Sequence, residues 1–199
     1  MGRVLEREVV HLNIADFAAA VERVHDPSLN RRPVIIAPAG GRRAGVYDMS
    51  EEAYQAGVRK GMPLYRARRQ CRDAAVLAPR LHRYAQAMAR VVRRVMPYSP
   101  LIEPGEMDGH LFVDITGTGR LHGPARDAAR GMARQVRDHL GFCPAWAVAS
   151  NKLVAKVATR VVKPAGQCLV APGDEAGFLS PLGLDLIPGI SRDHLFRLR

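Results

Sequence analysis

Three residues that could bind a metal ion alternate along one short segment. Glu106, Asp108 and His110 are spaced by two, so on a regular β-strand their side chains would project to one face. Carboxylate oxygens and imidazole nitrogens are common metal ligands, and the amide oxygen of Asn13 could join them. The competing interpretation is that Glu106 and His110 lie near the ends of the strand and are exposed to water.

The composition favours a polyanionic partner. The 199 residues include 30 Lys and Arg against 19 Asp and Glu, which gives a formal net charge of +11 and a pI of about 10.4. A domain this basic is typical of proteins that bind nucleic acid. The alternative is free use of arginine in a GC-rich genome, without any binding.

Other classes of protein are disfavoured. No run approaches the roughly 18 apolar residues that span a bilayer, and the first residues lack the apolar core of a secretion signal. We therefore expect a cytoplasmic protein with no membrane partner. Cys71, Cys143 and Cys168 are odd in number and far apart, which predicts reduced thiols rather than disulfides or a zinc site.

Apolar periodicity predicts strands and helices that alternate, as in an α/β sheet with helices packed on it. Asp16 is the predicted N-cap of the first helix, and Asp114 is predicted to bond to the turn that begins at Thr116. Residues 182–192 are typical of the first half of a helix-hairpin-helix. The predicted strands are 9–14, 33–37, 44–47, 111–115, 146–149 and 166–170, and the predicted helices are 17–24, 50–56, 64–72, 81–96, 124–140 and 151–162.

Several short stretches, in this order and spacing, resemble the Y-family (lesion-bypass) DNA polymerases. They are Arg32–Ile36, Gly57–Pro63, Tyr98–Glu103, Asn151–Lys156, Lys163–Pro164 and Leu186–Ile190. The resemblance implies an α/β (α+β) fold with a ferredoxin-like polymerase palm, a small inserted fingers subdomain and the start of a helix-hairpin-helix thumb. The implied ranges are 1–16 and 80–161 for the palm, 17–79 for the fingers and 162–199 for a partial thumb.

The resemblance also implies positions for two magnesium ions. The family holds them with an aspartate on the first strand, the neighbouring backbone carbonyl, and an Asp-Glu pair on a later strand. The matching residues here are Asn13, Ile14, Asp108 and Gly109, of which only Asp108 is a carboxylate. We therefore expect no metal or other cofactor, with Asp108 as a catalytic remnant.

The positions that the resemblance assigns to the nucleotide are altered too. The residue that excludes a ribose hydroxyl matches Ala18, and two residues that bind the triphosphate match Glu51 and Tyr54. Glu51 would repel the phosphates. Lys152 matches a lysine that contacts the triphosphate and is retained. These changes predict a folded relative of the polymerases that has lost nucleotidyl transfer.

Basic residues in the segments that border the substrate cleft of the family are the predicted DNA contacts. They are Arg42, Arg43, Arg59, Lys60 and Lys156. A second basic stripe on the predicted helix 124–140 is expected to face solvent or a protein partner. It consists of Arg126, Arg130, Arg134 and Arg137.

Three functions remain open from the sequence. The first is an inactive Y-family homologue that binds primer-template or damaged DNA, or bridges replication and repair proteins, in translesion synthesis and DNA repair. The second is an active translesion polymerase with a rearranged Mg²⁺ site built from Glu106 and Asp108. The third is a protein-interaction module without DNA binding, which docks an acidic partner on the stripe of helix 124–140.

Overall fold

A computed structural model describes residues 6–39 and 44–190, which form two compact units. Unit 1 comprises residues 1–15, 91–105 and 110–199, and unit 2 comprises residues 16–90 and 106–109, within the described part of the chain. The strands are β1 Val9–Asn13, β2 Val34–Ile36, β3 Asp48–Met49, β4 Ala75–Leu77, β5 Ile102–Pro104, β6 His110–Asp114, β7 Ala145–Ala149 and β8 Gln167–Leu169. The α-helices are α1 Phe17–His25, α2 Glu51–Gln55, α3 Leu64–Gln70, α4 Leu81–Val95, α5 Gly119–His122, α6 Ala125–Leu140, α7 Lys152–Val161 and α8 Glu175–Leu179.

Unit 1 is built on a five-stranded sheet in the order β5-β6-β1-β7-β8. The pairs β5–β6, β6–β1 and β1–β7 are antiparallel, and β8 is parallel to β7. An antiparallel sheet with the first strand in this interior position is the ferredoxin-like arrangement. The predicted fold class is therefore confirmed.

The central strand β1 is buried along its whole length, and helix α7 covers one of its faces. Side chains alternate along a strand, so His11 and Asn13 point to the same face, and Ala147 of β7 lies directly opposite His11. Ala147 belongs to the apolar cluster that includes Ala155 of α7. Helix α7 therefore packs on the face that carries His11 and Asn13.

Helix α7 begins at Lys152 because Asn151 caps it. The Asn151 side-chain oxygen accepts the backbone N–H of Val154 at 2.9 Å, which satisfies one of the donors that a helix start leaves unpaired. Lys152, Lys156 and Thr159 follow at i, i+4 and i+7 and so share one side of the helix.

Unit 2 contains a small sheet in the order β3-β2-β4. Strand β2 is fully buried and pairs antiparallel with β3 and parallel with β4. The strand predicted at 33–37 is confirmed, whereas the strand predicted at 44–47 is wrong. Gly45 makes only an isolated bridge to Pro63, and the strand pairing starts at Asp48.

Asp16 does not cap α1 as predicted. Its backbone is left-handed (φ 49°) and its side chain makes no capping hydrogen bond. Instead, the Asp48 carboxylate of β3 accepts the backbone N–H of Ala18. Asp114 does bond to its turn as predicted, since Oδ1 accepts the Thr116 N–H at 3.0 Å.

Glu106, Asp108 and His110 do not lie together on one regular strand, because β6 begins at His110. The Gly105 N–H donates to the His110 carbonyl at 2.8 Å, which closes residues 106–109 into the loop between β5 and β6. Met107 (φ 56°) and Gly109 (φ 79°) are left-handed within it, so the side chains of this loop do not alternate as on a strand.

The other predicted helices and strands are found within two residues of their expected ends. The short strands β4 and β5 and the short helices α5 and α8 are additions. No helix in the described part of the chain is long and apolar enough to cross a membrane.

Candidate functional site

Asn13 and His110 are neighbours on adjacent strands of the sheet in unit 1. The two residues are paired in the β1–β6 register, and the next pair on the same face is His11 with Phe112. Asp108 and Gly109 lie in the loop before β6. The residue of β6 that stands opposite Asn13 is therefore an imidazole.

A chain of hydrogen bonds links this face to helix α7. The Thr159 hydroxyl donates to the Lys156 carbonyl at 2.9 Å, and its oxygen lies 2.6 Å from His11 Nδ1. A hydroxyl has one proton to donate, so His11 Nδ1 must donate and His11 Nε2 must be an acceptor. His110 Nδ1, at 3.1 Å, then donates to His11 Nε2.

His11 is held neutral by its surroundings. Burial is the main cause that lowers the pKa of His11 to about 2, and the neighbouring charges of His110, Lys156, Lys163 and Arg160 lower it further. The rings of His11 and His110 also stack, with centroids 5.1 Å apart. This face of the sheet thus contains a neutral imidazole, His11, hydrogen-bonded to the ring of His110.

Asn13 is 1% exposed. Its Nδ2 finds no hydrogen-bond acceptor among the described residues. A buried donor without a partner destabilises a protein by roughly 1–3 kcal/mol, and an amide NH₂ group cannot ligate a cation. The β1 position that the resemblance assigns to a metal-binding aspartate thus carries a neutral side chain.

The residues of this site do not fit a pair of magnesium ions. Two Mg²⁺ ions require several anionic oxygens in octahedral geometry, whereas β1 and β6 present the Asn13 amide and the His110 imidazole. Asp108 is exposed in the loop before β6. Within residues 6–39 and 44–190, no three His, Cys, Asp or Glu side chains converge closely enough to hold a metal.

Glu51 and Tyr54 both lie on helix α2 and are exposed. Glu51 accepts a hydrogen bond from Gln55 at 2.5 Å. The guanidinium of Arg59 stacks 3.9 Å from the centre of the Tyr54 ring and donates to the carbonyls of Tyr54 (2.6 Å) and Val58 (2.8 Å). Arg59 is thus anchored to the end of α2, with an exposed outer surface.

Lys152 and Lys156 extend over Phe112. Their ammonium nitrogens lie 5.8 and 6.0 Å from the centre of that ring, within the range of a cation–π contact. Lys152 also forms an ion pair with Glu103, which offsets part of its charge. Lys152, Glu103 and Phe112 border a groove of about 380 Å³ in unit 1, lined also by Val9, Leu101, Ile102 and Asp114.

The structure adds Asp48, which the sequence reasoning missed. Asp48 Oδ2 accepts the Ala18 N–H at 2.9 Å, and Oδ1 lies 3.0 Å from the Lys60 ammonium. The Lys60 contact is an ion pair without an aligned hydrogen bond, since Oδ1 has no hydrogen-bond partner among the described residues. No local sequence pattern marks Asp48, because its partners are 30 and 12 residues away.

Arg42 and Arg43 lie outside the described residues, as does the part of the predicted helix-hairpin-helix after Ile190. The described part of that segment contains a single 3-10 turn, Leu184–Leu186. Arg160 of α7 donates to the Leu186 carbonyl at 2.8 Å, so this turn is hydrogen-bonded to helix α7 within unit 1.

Comparison with known proteins identifies the family. The sequence pattern of the impB/mucB/samB family matches residues 12–160. A DNA polymerase IV of Dehalococcoides mccartyi is 33% identical over 193 residues, which are 97% of this chain and 49% of that protein. A DNA polymerase IV of Desulfatibacillum aliphaticivorans is 36% identical over 197 residues, with 97% and 49% covered.

Solved structures agree with these matches. DinB from Sulfolobus solfataricus superposes with a TM-score of 0.88 at 26% identity, and an insertion ternary complex of Dbh DNA polymerase with 0.87 at 26%. Each match covers 96% of this chain and 56% of the solved chain. The chain spans about half the length of the curated relatives it matches. It therefore belongs to the impB/mucB/samB family, among the Y-family DNA polymerases.

Proposed function

We propose that this chain is a Y-family polymerase homologue that binds DNA without carrying out nucleotidyl transfer. It would act as a DNA-binding or scaffold factor in translesion synthesis and DNA repair, with other replication or repair proteins as further partners. The observation that carries the proposal is the register of Asn13 with His110, whose Nδ1 is hydrogen-bonded to His11.

The described residues of the site lack the negative charge that two magnesium ions need. Two divalent cations bring four positive charges close together, and the polymerase reaction needs anionic ligands to hold them while they stabilise the attacking and leaving oxygens. The amide of Asn13 and the neutral imidazole of His11 supply no negative charge. The imidazole of His110 supplies none in either of its protonation states.

DNA is the proposed partner because of the net charge of +11 and the family's membership among DNA polymerases. The contacts would come from Arg42, Arg43, Arg59, Lys60 and Lys156. Of these, Arg59 presents an exposed, stacked guanidinium, a group that suits phosphate and base contacts.

The proposal includes a cytoplasmic location, where the bacteria that contain the matched polymerases keep their DNA. It assigns the palm to ranges 1–16 and 80–161, the fingers to 17–79 and a partial thumb to 162–199.

An active translesion polymerase is the second candidate. Its support is the 33–36% identity to proteins named DNA polymerase IV over 97% of the chain. This candidate requires Mg²⁺ ligands in the loop 106–109, where Glu106 and Asp108 are both exposed.

Primer extension together with DNA binding separates the two candidates. We expect the purified chain to bind primer-template DNA with an affinity that falls as salt rises, because phosphate contacts release counterions. We expect no extension with magnesium or manganese. Metal-dependent extension that disappears in Asp108→Ala would establish the active polymerase and exclude our proposal. Failure to bind DNA even at low salt would favour the protein-interaction module.

A further inference from the structure

We infer that Asp48 fills an anion-binding site of unit 2 from within, and that this carboxylate prevents the site from taking a phosphate group. The inference deepens the proposed function and rests on it, because it supplies a second reason, independent of metals, why the chain would not hold a nucleotide. The site is formed by the first turn of α1, the side chain of Asp48 and the ammonium of Lys60.

The first turn of α1 is the natural place for an anion. The N-terminus of a helix carries unpaired N–H groups and a partial positive charge, and it binds carboxylates and phosphates for both reasons. The first turn of α1 contains no acidic residue, and the side chain of Asp16 does not cap it. Asp48, 30 residues further along the chain, accepts the Ala18 N–H.

Lys60 completes the site. Its ammonium lies 3.0 Å from Asp48 Oδ1, with 61% of the Lys60 side chain exposed against 3% of the Asp48 side chain. A lysine whose tip reaches a buried carboxylate from the solvent side would reach a bound phosphate in the same way. In this chain the charge of Lys60 is used to balance Asp48.

The carboxylate is held in place by strand β3. Asp48 pairs with Ile36 in the β2–β3 register, and the neighbouring Tyr47 N–H donates to the Ile36 carbonyl at 2.8 Å. On the other side, the Ser50 hydroxyl accepts the Val34 N–H at 2.9 Å. A loop movement therefore cannot carry the backbone of Asp48 away from the α1 terminus without breaking this sheet.

The charge arrangement then determines what can bind. A triphosphate that approached the α1 terminus would meet a buried carboxylate at the N–H groups that it needs, and like charges repel strongly in a site with little water. A small neutral residue in place of Asp48 would free both the helix N–H groups and Lys60. We expect such a variant to gain affinity for phosphate groups.

Calorimetric titration with inorganic tripolyphosphate, without metal, tests the inference. We expect no binding by the wild-type chain at millimolar ligand and at least tenfold tighter binding by Asp48→Ser, weakened by salt. Adding Lys60→Ala to Asp48→Ser should return the affinity to that of the wild type. The matched control is Asp26→Ser, which removes an exposed acidic residue of the same unit and should leave binding unchanged.

Two results would overturn the inference: wild-type chain that binds tripolyphosphate as tightly as Asp48→Ser, or a folded Asp48→Ser that gains nothing. Thermal melting establishes which variants fold. Should the serine variant not fold, Asp48→Asn decides, since it keeps the shape and still accepts the Ala18 N–H. We expect a smaller gain there, from the release of Lys60, and no gain would overturn the inference.

This titration is independent of the test of the proposed function. It uses neither DNA nor metal, so primer extension by the wild-type chain would remove the proposed function without altering the titration. Conversely, an Asp48→Ser variant without tripolyphosphate affinity would remove the role of Asp48 and leave the absence of the metal ligands as it stands.

Discussion

Buried polar side chains distinguish this chain at the scale of single residues. Glu22 of α1 is 1% exposed and accepts hydrogen bonds from Arg80 (2.6 Å), Arg83 (3.3 Å) and the Tyr84 hydroxyl (3.2 Å). Burial, with the nearby Glu22 carboxylate, raises the pKa of Tyr84 to about 12, so this hydroxyl stays protonated and can donate. The buried Glu22 carboxylate thus joins helix α1 to Arg80, Arg83 and Tyr84 within unit 2.

Removing the charge of Glu22 should destabilise the chain strongly. We expect Glu22→Gln to lower the free energy of unfolding by about 3 kcal/mol, because it leaves Arg80 and Arg83 without their buried counter-charge. The matched control is Glu52→Gln, which breaks the partly exposed ion pair with Arg23 and should change stability by less than about 1 kcal/mol. Urea denaturation measures both. Equal effects would contradict the structural role of Glu22.

His11 should make the chain sensitive to acid. The pKa of His11 is about 2 in the folded chain against 6.5 for the free side chain. Between these two values, the unfolded chain binds a proton at His11 and the folded chain does not. The stability contributed by neutral His11 is therefore present above pH 6.5 and is lost as pH falls from 6.5 towards 2. The slope from this group should approach about 1.4 kcal/mol per pH unit.

Urea denaturation across pH 4–8 would detect this effect of His11. We expect His11→Gln to be less stable than the wild type at pH 8 but to lose less stability on acidification. His25→Gln, at an exposed histidine, should keep the wild-type pH dependence. A wild-type slope that persists unchanged in His11→Gln would show that another group is responsible.

The sequence could predict residue types at the site but not their partners. The sequence shows that Asn13 and Gly109 stand where the family has carboxylates, because the resemblance extends to both positions. The bond between His11 and His110 is not visible, since the two residues are 99 positions apart and meet only through the register of β1 with β6. Asp48 is hidden for the same reason, because its partner Ala18 lies on another element.

At the scale of elements, helix α7 positions most of the site. It supplies Thr159 to His11 and sets Lys152 and Lys156 over Phe112. The apolar periodicity of residues 151–162 made this helix predictable from sequence. The loop 106–109 was not predictable, since its alternating polar residues imitate a strand and the closing bond from Gly105 to His110 depends on the pairing of β5 with β6.

The cap of α7 provides a test at this scale. Asn151→Ala should lower the free energy of unfolding by about 1 kcal/mol, because the Val154 N–H loses its acceptor. Asn151→Asp keeps an oxygen in the same place and should remain within about 0.5 kcal/mol of the wild type. Thermal or urea melts of the three chains measure the difference. A loss as large in Asn151→Asp as in Asn151→Ala would argue against capping.

At the scale of the whole molecule, the positive charge should act through a defined set of residues. We expect Arg42→Glu combined with Arg43→Glu to weaken DNA binding at least tenfold and to reduce the salt dependence by about two counterions, because each lost phosphate contact lowers the slope by about one. The matched control reverses Arg126 and Arg134 on α6, which changes the net charge by the same amount.

Fluorescence anisotropy with labelled primer-template, measured over a range of salt, compares these variants. We expect the α6 variant to bind within about threefold of the wild type, since only the general attraction of the net charge is reduced. The control leaves Arg130 and Arg137 unchanged, because these two arginines of α6 already pair with Asp127 and Asp138. Equal losses in both variants would show that binding follows net charge alone and has no defined site.

The most direct test of the account is whether the chain binds the cations of the polymerase reaction at all. Electron paramagnetic resonance of Mn²⁺ counts the free ion in the presence of protein. We expect the wild-type chain to leave Mn²⁺ free at physiological salt. We expect Asn13→Asp combined with His110→Glu to retain the ion, because the two substitutions place carboxylates at paired positions of β1 and β6. Two Mn²⁺ ions retained by the wild-type chain, and lost in Asp108→Ala, would contradict the account.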